Sequence, residues 1–284
     1  MYKVGIIGSE NSHAMAFSRY FNKSGRCDDI RVTAIWGEDR AASEEVSLEC
    51  GVSIMTPEDM LSQVDAVMVT ARDGALHAGY ALPFIRAGKP AFIDKPLTID
   101  PAEAEAVIAE AAQRGVPVMG GSSVKLAIGT VAAKAYADAA KERGELAGGC
   151  VHAPVTMENP YGGFYFYASH LVEVALTIFG YDPVAVTAVR TKANVTAILE
   201  YRDIGISLNF TDGVYKYGAT VLWKDGADRR EITLDDCYER EAHLFAEMLR
   251  TGRMPQTAHE MIMPVKVLKA IEQSYTTGLR TAIE

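Results

Sequence analysis

Cysteine is scarce: Cys27, Cys50, Cys150 and Cys237 are widely scattered, with no paired spacing. That argues against a disulfide framework or a cysteine metal knuckle, and we expect reduced thiols in a cytoplasmic protein. No Lys/Arg-rich run occurs and the net charge is −9, which weighs against a nucleic-acid surface or an anionic membrane as partner. No apolar run approaches the ~20 residues of a membrane span. Met1 to Ile7 enter a strand pattern directly, without the plan of a secretory signal. Internal repeats and low-complexity segments are also lacking. His13, His152, His243 and His259 have no partners at metal or triad spacing, so no metal is expected.

What is present is a chain of 284 residues, 49% of them hydrophobic, long enough for two domains. Over the first ~120 residues, short apolar runs (Val4–Ile7, Val32–Trp36, Ala66–Thr70, Ala91–Asp94, Val116–Gly120) alternate with stretches of helical period. Thr56-Pro57-Glu58-Asp59 and Asp100-Pro101-Ala102-Glu103 each offer an N-cap, a proline at the first helical position and an acid in the first turn. Such alternation predicts a parallel sheet with crossover helices. After Gly120-Gly121 the pattern changes. A long helix is predicted from about Leu126 to Arg143, a strand over Cys150–Met157 and a helix over His170–Phe179. Strand-like runs then follow at 185–191, 195–201, 205–210, 217–223 and 231–234, before two closing helices. Asp212-Gly213 marks a turn between two of these runs, and short turns between consecutive strands imply antiparallel pairing. The expected fold class is therefore α/β. It combines a Rossmann-like parallel-sheet domain over residues 1–121 with an α+β domain over 122–284 that carries a largely antiparallel open sheet.

The first strand runs through Gly8-Ser9-Glu10-Asn11-Ser12-His13 into an apolar helix, a context suited to a pyrophosphate. The Gly-x-Gly-x-x-Gly pattern is broken, because Glu10 stands in the place of the second glycine and His13 in that of the third. A carboxylate held ~4 Å from a phosphate charge would cost about 4 kcal/mol at an effective dielectric near 20. Glu10 must point away, bind a basic group, or signal that no dinucleotide binds. Gly8, Asn11, Ser12 and the helix amides suit a phosphate, whereas the bland reading is an ordinary turn with Ser12 as N-cap. The second strand ends at Trp36. Gly37 then holds the position of the usual ribose-binding acid, with Glu38 one residue late. Either Glu38 reaches a ribose, or Arg40 takes a 2′-phosphate, or the stretch is a solvated loop. NAD and NADP stay undecided as cofactor.

The segment Ala87-Gly88-Lys89-Pro90-Ala91-Phe92-Ile93-Asp94-Lys95-Pro96 reads as a helix end, a turn with Gly88 in the left-handed region, a short strand, and a charged pair held before a proline. Asp94 and Lys95 emerge at the strand's carboxyl end, where open α/β sheets bind ligands.

Together these pieces resemble the glucose–fructose oxidoreductase/inositol dehydrogenase (Gfo/Idh/MocA) family. Asp65–Thr70 followed by His77 looks like the family's Thr-Pro-x-x-x-x-His region, with Ala71 in place of proline. Ala87-Gly88-Lys89-Pro90 and Asp94-Lys95-Pro96 look like its Ala-Gly-Lys-His and Glu-Lys-Pro signatures. Ser169-His170-Leu171-Val172-Glu173 resembles its histidine-bearing helix start, and 243–274 its closing helices. The resemblance implies an NAD(P)-dependent oxidoreductase acting on a sugar, cyclitol or related polyol, and a homo-oligomer (dimer or tetramer) built on the open sheet. It carries Lys95 and His170 over as catalytic residues, with Thr70, Ala71, His77 and Asp94 beside the nucleotide and Lys125 toward the substrate. An imidazole with an ordinary pKa near 6.5 exchanges protons close to neutral pH, and a lysine can stabilise developing oxyanion charge. The bland readings are a structural ion pair for Lys95 and a packing or capping residue for His170. Family members usually carry Asp four residues before the histidine, where this chain has Phe166. Tyr165 and Tyr167 are the candidates to meet the sugar ring, with Tyr167 also a candidate for proton transfer; the alternative is an aromatic packing cluster. A non-catalytic ligand sensor on the same fold is the competing function, and a lyase or hydrolase using bound nucleotide a third.

Overall fold

A computed structural model describes residues 1–284, which divide into two compact units. The first is Met1–Gly121 with Tyr238–Met261, and the second is Ser122–Cys237 with Ile262–Glu284.

The first unit runs β1 (Tyr2–Ile7), α1 (Ser12–Lys23), β2 (Ile30–Trp36), α2 (Arg40–Cys50), β3 (Ser53–Ile54), α3 (Pro57–Gln63), β4 (Ala66–Val69), α4 (His77–Arg86), β5 (Ala91–Asp94), α5 (Pro101–Arg114) and β6 (Val118–Gly121). The strands form one parallel sheet in the order β3-β2-β1-β4-β5-β6. This is the doubly wound arrangement, with its switch point between β1 and β4. Every residue of β4, β5 and β6 is buried, as expected of strands covered on both faces. Helix punctuation follows the sequence closely. Thr56 caps α3 by accepting from the Asp59 amide, and Asp100 caps α5 by accepting from the Ala102 and Glu103 amides.

Residues 238–261 group with this unit, whereas the sequence reading assigns all of 122–284 to the second domain. The reason is hydrophobic. Ala242, Phe245, Ala246, Met248 and Leu249 line one helix face and pack with Val4, Ile6, Phe17, Phe21 and Phe92 in a single core. The Phe245 ring lies 6.2 Å from that of Phe21 and 6.3 Å from that of Phe92.

The second unit contains α6 (Ile128–Glu142), β7 (Leu146–Val155), α7 (Phe164–Phe179), β8 (Ala185–Arg190), β9 (Asn194–Glu200), β10 (Gly205–Asp212), β11 (Tyr217–Trp223) and β12 (Gly226–Ile232). The closing helices α8 (Cys237–Thr251) and α9 (Ala258–Thr277) follow, and β13 (Thr281–Ala282) ends the chain. The sheet order is β12-β11-β7-β10-β9-β8-β13; β7 and β10 pair in parallel and the other neighbours antiparallel. Helices α6 and α7 pack on this sheet. Alternate residues such as Val195, Ala197 and Leu199 are buried, whereas Val189 and Ile198 are exposed. α7 starts at Phe164, six residues before the predicted start, so the aromatic run is its first turn. The strand predicted at 231–234 lies instead at Gly226–Ile232, where it completes a hairpin with β11.

Candidate active site

At the switch point the loop after β1 is fixed from both sides. Gly8 has φ +109°, and a Cβ there would lie 2.1 Å from the Ala71 amide nitrogen, so only glycine fits against the end of β4. Thr70 donates its hydroxyl to the Gly8 carbonyl at 2.9 Å. Ser9 is buried, with its hydroxyl 2.8 Å from that of Ser43 on α2. Asn11, not Ser12, is the N-cap of α1: its Oδ1 accepts from the His13 amide. Ser12 stands exposed at the helix start.

Asn11 and His13 converge on Asp94, the last residue of β5. Asp94 is fully buried; its Oδ2 lies 2.5 Å from His13 Nδ1 and accepts from Asn11 Nδ2 at 3.0 Å. Its Oδ1 accepts the Lys95 amide at 2.7 Å. Burial alone would raise the Asp94 carboxyl, but His13 first, with its hydrogen bond, and then Lys95 hold it at about 2. Asp94 and His13 thus fasten the β1 loop to the end of β5. Lys95 follows immediately at the carboxyl end of the sheet, 5% exposed. His77 is fully buried, its Nδ1 2.7 Å from the Pro96 carbonyl and its Nε2 2.8 Å from the Ala71 carbonyl. It ties the segment after Lys95 to the end of β4, so its ring is structural.

At the end of β2, Glu38 is exposed, Asp39 caps α2 through the Ala41 amide at 2.9 Å, and Arg40 pairs with Glu44 at 2.9 Å. Glu10 Oε2 is buried and has no hydrogen-bond partner. Burial raises the Glu10 carboxyl, and Glu38 and Asp39 add to that; a hydrogen bond from its own backbone amide, and then Arg72, oppose it.

The second unit holds a buried polar network of its own. Ser122 donates its amide to Glu173 Oε1 at 2.7 Å, and its Oγ lies 2.6 Å from His170 Nδ1. Lys125 Nζ donates to Glu173 Oε2 at 2.9 Å, with both side chains buried. Lys125, expected to reach the substrate, is thus half of an internal ion pair. Glu173 sits one helical turn beyond His170, which the three-residue spacing makes a shared face. Ser122 and Glu173 gained no role from sequence, because Ser122 lies 48 residues from His170 and Lys125 48 residues from Glu173. Tyr167 is half-buried, with its ring 6.2 Å from His170 and 5.9 Å from Tyr215. Tyr217, unnoticed in the sequence, lies edge-on to His170 at 6.1 Å. Tyr165 is buried, and its hydroxyl donates to Glu272 Oε2 at 2.7 Å. That bond directs it into the unit's interior, against the expectation of a substrate contact.

Residues 2–122 match the oxidoreductase family with an NAD-binding Rossmann fold, Gfo/Idh/MocA. The match lies within the amino-terminal unit and covers its whole parallel sheet. The matching family is one of oxidoreductases that bind NAD through this domain. No curated protein matches the sequence. Among solved structures, GenD2 from gentamicin A biosynthesis in complex with NAD is 16% identical, with 100% of this chain and 96% of that one covered and a TM-score of 0.89. Myo-inositol 2-dehydrogenase from Lactobacillus plantarum is 17% identical, with 100% and 99% covered and a TM-score of 0.87. Scyllo-inositol dehydrogenase from Lactobacillus casei, solved with NAD(H) and scyllo-inositol, is 15% identical, with 100% and 99% covered and a TM-score of 0.85. At these identities the likeness is one of fold. The Gfo/Idh/MocA domain here fits a dinucleotide by its own features: a glycine-only β1 loop at a helix N-terminus, exposed Ser12, and a buried carboxylate oxygen that lacks a donor.

Proposed function

We propose that the chain is an NAD(P)-dependent dehydrogenase or reductase that transfers a hydride to or from a secondary alcohol of a sugar, cyclitol or related polyol. The observation that carries this reading is Lys95. It is a buried lysine at the carboxyl end of a Rossmann sheet, set by a fully buried carboxylate that is itself held by two residues of the nucleotide loop. The nicotinamide ring, when bound, supplies the hydride acceptor or donor. In alcohol oxidation the hydroxyl proton must leave as the hydride does. Lys95 donates a hydrogen bond to the substrate oxygen and stabilises its developing negative charge. His170 accepts the proton. Its Nδ1 is engaged by Ser122, so exchange falls to Nε2. Ser122 and the Lys125–Glu173 pair act as positioning residues for His170. Tyr167 offers a ring face and a hydroxyl beside that imidazole. Homo-oligomers form, in this reading, on the face of the second sheet that carries Val189 and Ile198.

The test is a panel of cyclitols and aldoses assayed with NAD and with NADP, following formation of the reduced nucleotide. Turnover of at least one polyol supports the reading, and silence across the panel in both directions contradicts it. One observation favours a ligand-sensing protein instead: a glutamate in the second glycine's place. Tight NADH binding without turnover on the panel would select that reading.

A further inference from the structure

The end of β2 lacks the acid that usually holds the adenosine ribose, and the structure shows what occupies that place. A Cβ on Gly37 would lie 2.1 Å from Ser9 Oγ and 2.5 Å from Glu10 Oε2. The space from which an aspartate at position 37 would start is therefore filled by the β1 loop, with the Glu10 carboxyl at its edge. The two departures noted in the sequence are thus one exchange. Gly37 stands at the end of β2, and Glu10 stands in the loop beside it. The other acids nearby are spoken for or exposed: Asp39 caps α2, and Glu38 is exposed. Glu10 Oε2, in contrast, is buried and accepts no hydrogen bond.

We propose that Glu10 is the ribose-binding acid of this chain: its carboxylate accepts hydrogen bonds from the vicinal hydroxyls of the adenosine ribose and thereby selects NAD over NADP. This rests on the reading that the chain binds a nicotinamide dinucleotide. A buried carboxylate oxygen without a donor is costly, and a diol brings two donors. A 2′-phosphate would instead set a second anion against Glu10, with Glu38 and Asp39 adding to the repulsion; Arg72 is the nearby cation that acts against it. Arg40, the other cation of this loop, is paired with Glu44. Tyr80, whose phenol feels both Glu38 and Glu10, closes the same neighbourhood. Burial raises the Glu10 carboxyl, with Glu38 and Asp39 contributing and its own backbone amide and Arg72 opposing, so the preference for NADH weakens on acidification as Glu10 takes up its proton.

The test is calorimetric titration of the full chain with NADH and with NADPH, for wild type and Glu10→Gln. Wild type is expected to bind NADH at least about ten-fold more tightly than NADPH. Glu10→Gln, nearly isosteric, is expected to weaken NADH about ten-fold and to bring the two affinities close together. Glu10→Gln that tightens both nucleotides equally would overturn the proposal and make Glu10 a repeller of the pyrophosphate. An unchanged ratio in a binding-competent variant would overturn it while leaving the dehydrogenase reading intact. If wild type binds neither nucleotide, the dehydrogenase reading fails and this proposal falls with it.

Discussion

Replacing Asp94 with asparagine removes one charge from the centre of the first unit without changing its shape. The carboxylate has no exposure and holds His13, Asn11 and the Lys95 amide together. Its carboxyl lies at about 2 rather than the ordinary 3.8. Each tenfold in ionisation is worth about 1.4 kcal/mol, so the ionised form stabilises the fold by about 2 kcal/mol. The folded value lies below the unfolded one. The stabilisation is therefore fully present above 3.8 and is lost as pH falls from 3.8 toward about 2. Asp94→Asn should cost about 2 kcal/mol near neutral pH, and its deficit against wild type should shrink through that acid window. Asp94→Ala also strips every acceptor and should cost more, about 3–5 kcal/mol. The assay is urea unfolding followed by Trp36 fluorescence in a Trp223→Phe background, since the chain has two tryptophans and each unit holds one. An asparagine variant as stable as wild type near neutral pH, or a deficit that stays constant on acidification, would refute the reasoning.

Three further outcomes follow from the second unit. Ser122→Ala should lower kcat about ten-fold while KM changes less than about two-fold, because it releases His170 rather than a substrate contact; equal changes in both would contradict a positioning role. Glu173→Gln should destabilise the unit by about 3–5 kcal/mol in urea unfolding by removing the buried charge paired with the Lys125 ammonium, and adding Lys125→Met should recover most of that loss. Tyr165→Phe should cost about 1–2 kcal/mol of stability through its Glu272 bond and leave turnover within about two-fold; a tenfold fall in kcat would return Tyr165 to the substrate.

The first sheet was legible because its strands are buried on both faces and bounded by proline and glycine. Asp100-Pro101 and Thr56-Pro57 mark helix starts that the structure places as read. The site was legible only in part. Lys95 follows from its place at a strand end. The partners of Asp94 lie 81 and 83 residues away, and Ser122 lies 48 residues from His170, separations that no local pattern records. The return of residues 238–261 to the first unit escaped for the same reason, since an amphipathic helix shows that it has a buried face but not which core receives it. Tyr165 misled because an aromatic run looks alike whether it meets a ligand or a neighbouring helix.

The central claim is that Lys95 serves the chemistry rather than the docking of nucleotide. Wild type and Lys95→Ala, titrated with NADH and assayed on the most active polyol of the panel, test it directly. NADH affinity is expected within about three-fold of wild type and turnover down by at least about a thousand-fold. Equal losses of binding and turnover would contradict it and assign Lys95 to cofactor placement.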